Sequence, residues 1–207
     1  MSPSQPNAPD PSLPPLPLKE KEIVVAVCGG IAAYKVADAV SKLVQRGAGV
    51  TVVMTESATR FVGPLTFQAL SGRPVRTSIW DALESGDTRH IALTDHASLM
   101  LVAPATANVL AKTAAGICDD LVSTMICAAA CPVVFAPAMN ARMWANPITR
   151  ENVAKLVKLG YRMIGPEAGW LACRTIGQGR MAEATAIVEE VTTIVLSAPG
   201  AGMRDEG

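Results

Sequence analysis

Short runs of apolar and β-branched residues recur along the chain, and segments with helical spacing of apolar positions separate them. The runs are short and bounded by glycine or polar residues, as expected of buried strands: 23–27, 50–54, 99–103, 132–136 and 161–164. The helical segments are 31–46, 106–115, 119–130, 148–159 and 183–196. This alternation predicts right-handed crossovers between parallel strands. We therefore expect an α/β fold, a doubly wound parallel sheet with helices on both faces.

The two ends of the chain differ in composition from the part between them. Residues 1–20 are rich in proline and almost free of periodic apolar positions, which predicts a poorly ordered tail. We expect one folded domain over residues 21–196 and a flexible tail over residues 197–207.

Composition narrows the classes of function. Hydrophobic residues make up 50% of the 207 positions, charged residues 17%, and 18 basic side chains balance 18 acidic ones. The high hydrophobic content and low charge argue against a disordered chain, and the balance of charges argues against electrostatic binding of nucleic acid. The many apolar residues also favour a homo-oligomer, which would bury some of them between subunits. Five cysteines without a CxxC pair, beside only two histidines, predict neither a metal site nor disulfides. The absence of an 18-residue apolar run and of a secretory signal pattern predicts a cytoplasmic protein without a membrane span.

Small and polar residues follow the first three predicted strands. The glycines at positions 29–30 mark either a tight turn or a helix N-terminus that binds phosphate. Thr55 and Ser57 follow the second strand, where they suit either helix caps or phosphate donors. Thr106 and Asn108 follow the third strand among small residues, where they suit hydrogen bonds to a flat ring. Because the carboxyl ends of parallel strands meet at one edge, the three loops together favour a phosphate-bearing aromatic cofactor.

The segment after the fourth predicted strand is the most specific. Residues 137–144 have the sequence Pro-Ala-Met-Asn-Ala-Arg-Met-Trp, which resembles the Pro-x-Met-Asn-x-x-Met-Trp motif of the flavin-dependent cysteine decarboxylases at every motif position. Segments 29–35, 90–93, 104–108 and 172–181 resemble the rest of the family signature in the same order. The resemblance covers about residues 21–196, and it implies a Rossmann-like or flavodoxin-like flavoprotein domain.

The resemblance also implies a cofactor, an assembly and site residues. Family members bind FMN non-covalently and form trimers or dodecamers built from trimers. The residues implied to line the FMN site are Gly29, Gly30, Ile31, Thr55, Ser57, Thr106, Ala107, Asn108, Val109 and Ala138. The residues implied at the substrate are Asn140, Met143 and Ala172, with His90 as the catalytic base and Cys173 as the catalytic acid. Both side-chain types exchange protons near neutral pH.

The activity implied by the resemblance is FMN-dependent decarboxylation of 4′-phosphopantothenoylcysteine to 4′-phosphopantetheine in coenzyme A biosynthesis. FMN would oxidise the cysteine end to a thioaldehyde, carbon dioxide would leave, and the enethiol would be protonated by Cys173 and reduced by FMNH2. The ligase that family members often carry would then be a separate chain. The alternatives are a peptidyl-cysteine decarboxylase, a flavin prenyltransferase, and a regulatory flavin-binding subunit without catalysis. Asn140 and Cys173 argue against the prenyltransferase, and their presence together with His90 favours an enzyme.

The sequence departs from the family pattern directly after Cys173. The family commonly continues with glycine and an acidic residue, whereas this chain has Arg174 and Thr175. Arg174 either pairs with an anionic group of the substrate or is an ordinary solvated arginine of a loop.

Overall fold

The computed structural model of the protein describes residues 16–80 and 92–197, and a five-stranded parallel sheet lies at its centre. The strands of this sheet are β1 (Glu22–Val27), β2 (Gly49–Met54), β3 (Leu99–Ala105), β4 (Val133–Pro137) and β5 (Arg162–Met163). Their order across the sheet is β2-β1-β3-β4-β5. A separate antiparallel hairpin consists of β6 (Glu167–Trp170) and β7 (Ile176–Arg180). The predicted doubly wound parallel sheet is confirmed.

Nine helices are described in these two ranges. They are α1 (Ala33–Gln45), α2 (Glu56–Thr59), α3 (Pro64–Ser71), α4 (Ala92–Asp95), α5 (Ala107–Ala115), α6 (Leu121–Ala128), α7 (Ala141–Ala145), α8 (Pro147–Lys158) and α9 (Ala184–Ser197). In this part of the chain no helix has the length and apolar character needed to cross a lipid bilayer.

The alternating side chains of the strands form a core on each face of the sheet. On β1, Val25 and Val27 belong to one apolar cluster together with residues of α1 and α9. Val24 and Ala26 point the other way and belong to a second cluster with residues of α5, α6 and α8. Burial on both faces explains why β1 to β4 are continuous apolar runs.

The structure differs from the prediction at the N-terminal boundary and in several short elements. Leu18, assigned to the Pro-rich tail, is fully buried, and its N–H donates to the Arg46 carbonyl at 2.9 Å. The folded part therefore begins before residue 21. The β6–β7 hairpin and the helices α3, α4 and α7 were not predicted, because each is short and the hairpin strands carry little apolar alternation.

The strand order places a crevice at one edge of the sheet. Strands β2 and β3 lie on opposite sides of β1, so the chain winds in opposite directions from β1. In doubly wound sheets the loops at this switch point separate and leave a ligand-binding crevice beyond the carboxyl ends of the strands.

Candidate active site

A cavity of about 1110 Å³ occupies the crevice. Its lining includes all ten residues predicted for FMN: Gly29, Gly30, Ile31, Thr55, Ser57, Thr106, Ala107, Asn108, Val109 and Ala138. Four residues predicted for substrate or catalysis also line it: Asn140, Met143, Ala172 and Cys173. This volume lies slightly above the usual range for ligand pockets and leaves room for a large cofactor and a second molecule. The structure thus brings together loops that are more than 140 residues apart in sequence.

The loop after β1 lies directly against the loop after β2. A Cβ on Gly29 would be 2.4 Å from Cβ of Ser57, so only glycine fits there. Helix α1 follows this loop and has no side-chain cap on its first turn. The Ala33 and Lys35 N–H groups at its start already donate to the Gly30 and Ala32 carbonyls, so it is the positive end of the helix dipole that suits an anionic ligand such as a phosphate.

Two threonines at the cavity cap helices. Thr55 Oγ1 accepts the Ala58 N–H at 3.2 Å, and Thr106 Oγ1 accepts the Val109 N–H at 3.3 Å. A hydroxyl that accepts one bond still has its own proton to donate. Capping is therefore compatible with ligand binding at both positions, including Thr55, for which the sequence left the two roles open.

One wall of the cavity contains a buried thiol and an ion pair that the sequence did not indicate as site residues. Burial, reinforced by the nearby Asp120 carboxylate, raises the pKa of Cys28 to about 12, so this thiol stays neutral. Lys112 Nζ lies 2.7 Å from Asp120 Oδ2 and 2.6 Å from Asp119 Oδ1. Burial alone would raise the pKa of Asp120, but hydrogen bonds from Lys112 and Ser123 outweigh it and lower the pKa. The only sequence signal was the Asp-Asp pair before an apolar helix, which predicts a cap.

The Pro-x-Met-Asn segment positions Asn140 at the N-terminus of α7. Its Oδ1 accepts the Arg142 N–H at 2.8 Å, which leaves Nδ2 to donate to Cys173 Sγ at 3.1 Å. The hairpin that carries Cys173 is fixed to this segment by the Met139 N–H, which donates to the Gly179 carbonyl at 2.9 Å. Gly179 has φ of +143°, and a Cβ there would lie 2.3 Å from the Met139 carbonyl oxygen. This close packing brings Asn140 and Cys173 into contact.

Cys173 is exposed at the edge of the cavity, and several hydrogen bonds reach its sulfur. The Thr175 hydroxyl lies 3.1 Å from Sγ. This hydroxyl is the largest cause that lowers the pKa of the Cys173 thiol below its ordinary value. With the N–H groups of Thr175 and Cys173 and the Asn140 amide, it outweighs desolvation, which acts in the opposite direction. A thiol that titrates closer to neutrality can give up and regain a proton under physiological conditions.

One predicted site residue does not line the cavity, and another is not among the described residues. Arg174 is exposed in the hairpin turn with φ of +62°, and it does not belong to the cavity lining. His90, the predicted base, lies outside the described residues. Its assignment therefore rests on the sequence resemblance.

A family model named Flavoprotein matches residues 12–196. The chain belongs to the Flavoprotein family. This flavoprotein is 48% identical over 171 residues to the coenzyme A biosynthesis bifunctional protein CoaBC of Vibrio cholerae, which covers 83% of the chain and 43% of the relative. The corresponding protein of Bacillus subtilis is 48% identical over 172 residues, 83% of the chain and 42% of the relative. The flavoprotein thus spans less than half the length of these curated relatives.

Solved structures resemble the flavoprotein over nearly its whole described part. A PPC decarboxylase mutant complexed with pantothenoylaminoethenethiol is 32% identical with a TM-score of 0.77, over 86% of this chain and 100% of that one. The FMN binding protein AtHal3 is 32% identical with a TM-score of 0.77, over 87% of this chain and 100% of that one. The FMN-dependent cysteine decarboxylase SpaF is 31% identical with a TM-score of 0.74, over 87% of this chain and 98% of that one. The predicted family is confirmed.

Proposed function

We propose that this flavoprotein binds FMN and decarboxylates 4′-phosphopantothenoylcysteine to 4′-phosphopantetheine, a step of coenzyme A biosynthesis. The relatives named for coenzyme A biosynthesis and the similar PPC decarboxylase support this substrate. The observation that carries the proposal is the contact between Asn140 and Cys173 at the cavity that also contains all ten predicted FMN residues.

The residues present suit FMN. The cavity is large and lined partly by apolar groups, Gly29 keeps the loop after β1 thin, and α1 offers an uncapped N-terminus to the phosphate. The hydroxyls of Thr55 and Thr106 have protons free for ligand acceptors. When bound, FMN supplies the two-electron oxidation of the cysteine end and its reversal.

The protein itself contributes binding and proton transfer. The Arg142 N–H holds Asn140 Oδ1, and Nδ2 donates one of its two hydrogens to Cys173 Sγ. The second Nδ2 hydrogen can donate to a substrate carboxylate without burying a charge. Cys173 holds a proton on Sγ and delivers it to the substrate carbon after carbon dioxide has left. His90 acts as the base, as the resemblance implies.

Self-association is part of the proposal. Large apolar side chains with exposed fractions between 48% and 80% surround the cavity mouth and the hairpin: Ile31, Tyr34, Met143, Trp170 and Ile176. A patch of this kind favours burial against another subunit. We expect a trimer, or a dodecamer built from trimers, in the cytoplasm, and light scattering after size-exclusion chromatography measures the subunit number.

Turnover of 4′-phosphopantothenoylcysteine by FMN-loaded protein tests the function, with mass spectrometry as the readout. Wild type should form 4′-phosphopantetheine, His90→Asn should form none, and Cys173→Ser should accumulate the unreduced enethiol. Cys118→Ser is the matched control, because Cys118 is an exposed thiol outside the cavity lining, and it should behave as wild type. Wild-type protein that is loaded with FMN but inactive on this substrate would contradict the proposal, and a peptide ending in cysteine is the next substrate to test.

A further inference from the structure

We propose that Thr175 is a positioning residue for Cys173: its hydroxyl holds the sulfur beside Asn140 and stabilises the thiolate left after proton transfer. This inference rests on the proposed function, in which Cys173 is the proton donor. Thr175 Oγ1 lies 3.1 Å from Cys173 Sγ, and Asn140 Nδ2 lies 3.1 Å from the same sulfur on another element. The sulfur is therefore held from two directions.

Backbone hydrogen bonds fix Thr175 within the turn between β6 and β7. The Leu171 N–H donates to the Thr175 carbonyl at 2.9 Å, and the Arg174 N–H donates to the Leu171 carbonyl at 2.9 Å. Arg174 takes the left-handed conformation that closes the turn. Because threonine is β-branched, few rotamers are open to it, and its hydroxyl is directed at the sulfur before any ligand binds.

The chemistry of the step requires a hydrogen-bond donor at this place. The S–H bond of Cys173 breaks as a C–H bond forms on the substrate, and both electrons of the S–H bond remain on sulfur. The thiolate accepts hydrogen bonds from the Thr175 hydroxyl and the Asn140 amide until solvent water returns the proton, which the exposure of Cys173 permits. A threonine hydroxyl suits both states, because it accepts from the thiol and donates to the thiolate.

Hydrogen bonds, rather than neighbouring charges, account for the lowered pKa of Cys173, and the Thr175 hydroxyl is the largest of them. The charged side chains on the turn and on the elements packed against it are Arg142 on α7, Glu167 on β6, Arg174 and Arg180. The acidic residue that the family commonly has at position 175 would act in the opposite direction, because a carboxylate repels a thiolate. This chain therefore differs from the family pattern in a way that favours ionisation of its thiol.

The test measures the alkylation rate of Cys173 by iodoacetamide between pH 6 and 10, resolved by peptide mass spectrometry on FMN-loaded protein. Thr175→Val, which keeps the shape and removes the hydroxyl, should move the midpoint of the Cys173 profile upward by about one pH unit. Thr175→Ser should restore the wild-type midpoint, and Thr175→Asp should move it upward. Thr193→Val, which removes an exposed hydroxyl on α9, should leave it unchanged, and Cys118 is the reference thiol within each sample.

Turnover gives a second readout: Thr175→Val should lower kcat for 4′-phosphopantothenoylcysteine with little change in KM, because the hydroxyl acts on the proton donor. A midpoint for Thr175→Val equal to that of wild type, in protein with an unchanged circular dichroism spectrum, would overturn the proposal. So would a failure of Thr175→Ser to restore the midpoint. Since alkylation requires no turnover, failure of the proposed decarboxylation would appear separately.

Discussion

An alanine at position 29 tests how closely the loop after β1 packs on the loop after β2. Its Cβ would lie 2.4 Å from Ser57 Cβ and 2.9 Å from the Ser57 carbonyl carbon. Non-bonded carbon atoms prefer about 3.5–4.0 Å, so the two loops would have to separate by about 1 Å. Gly29 does not have a positive φ, so the backbone conformation itself suits alanine and the effect is purely steric.

Overpacking of this kind costs about 1–3 kcal/mol. In a chain of this size, where each kcal/mol shifts Tm by about 2–4 °C, Gly29→Ala should lower Tm by roughly 2–12 °C. The same displacement should weaken FMN binding about tenfold, because losing one N–H bond to a charged phosphate costs about 1.5 kcal/mol. Thermal unfolding followed by circular dichroism, at one fixed protein concentration, measures the first effect. Quenching of FMN fluorescence on titration with apo-protein measures the second.

The neighbouring glycine is the matched control. A Cβ at Gly30 would meet Thr106 Cγ2 at 3.7 Å, an ordinary contact, so Gly30→Ala should change the free energy of unfolding by no more than about 0.5 kcal/mol. Adding Ser57→Gly to Gly29→Ala removes the 2.4 Å contact but leaves the 2.9 Å one, and should recover part of the stability. Equal Tm values for the two alanine variants, or no recovery in the double variant, would refute the reasoning.

Three further predictions concern stability. The pKa of Cys28, about 12 when folded, lies above its ordinary value, so the unfolding free energy should fall as pH rises above about 9, and Cys28→Ala should make this fall smaller in urea titrations at pH 8 and 10. Thr106→Val should cost about 1 kcal/mol in urea unfolding by removing the α5 cap, whereas Thr106→Ser should cost little; equal losses would argue against the cap. Arg174→Gly should keep or raise Tm by relieving about 1 kcal/mol of left-handed strain, and Arg174→Val should lower it; the reverse order would contradict that strain.

The sequence alone determined the sheet and the edge at which the ligand binds. Strands buried on both faces must be continuous apolar runs, so the segments that form β1 to β4 could be located from hydrophobicity, to within two residues at either end. The loops after β1, β2 and β3 could be assigned to one edge because parallel strands direct their carboxyl ends the same way. The Pro-x-Met-Asn motif then identified the family.

Only the tertiary structure decided which side chains meet. Cys28 is distant in sequence from Lys112 and Asp120, and no motif links the three residues. Packing of β1 against α5 and α6 nevertheless places them in one wall of the cavity. Hairpin β6–β7 lacked a periodic signal, because its strands are half exposed and glycine-rich. The contact of Cys173 with Asn140 and Thr175 depends on a turn closed by backbone bonds and on the close approach of Gly179 to Met139. Hydrophobic periodicity indicates which positions are buried, but it does not indicate which polar atoms come within hydrogen-bond distance of each other.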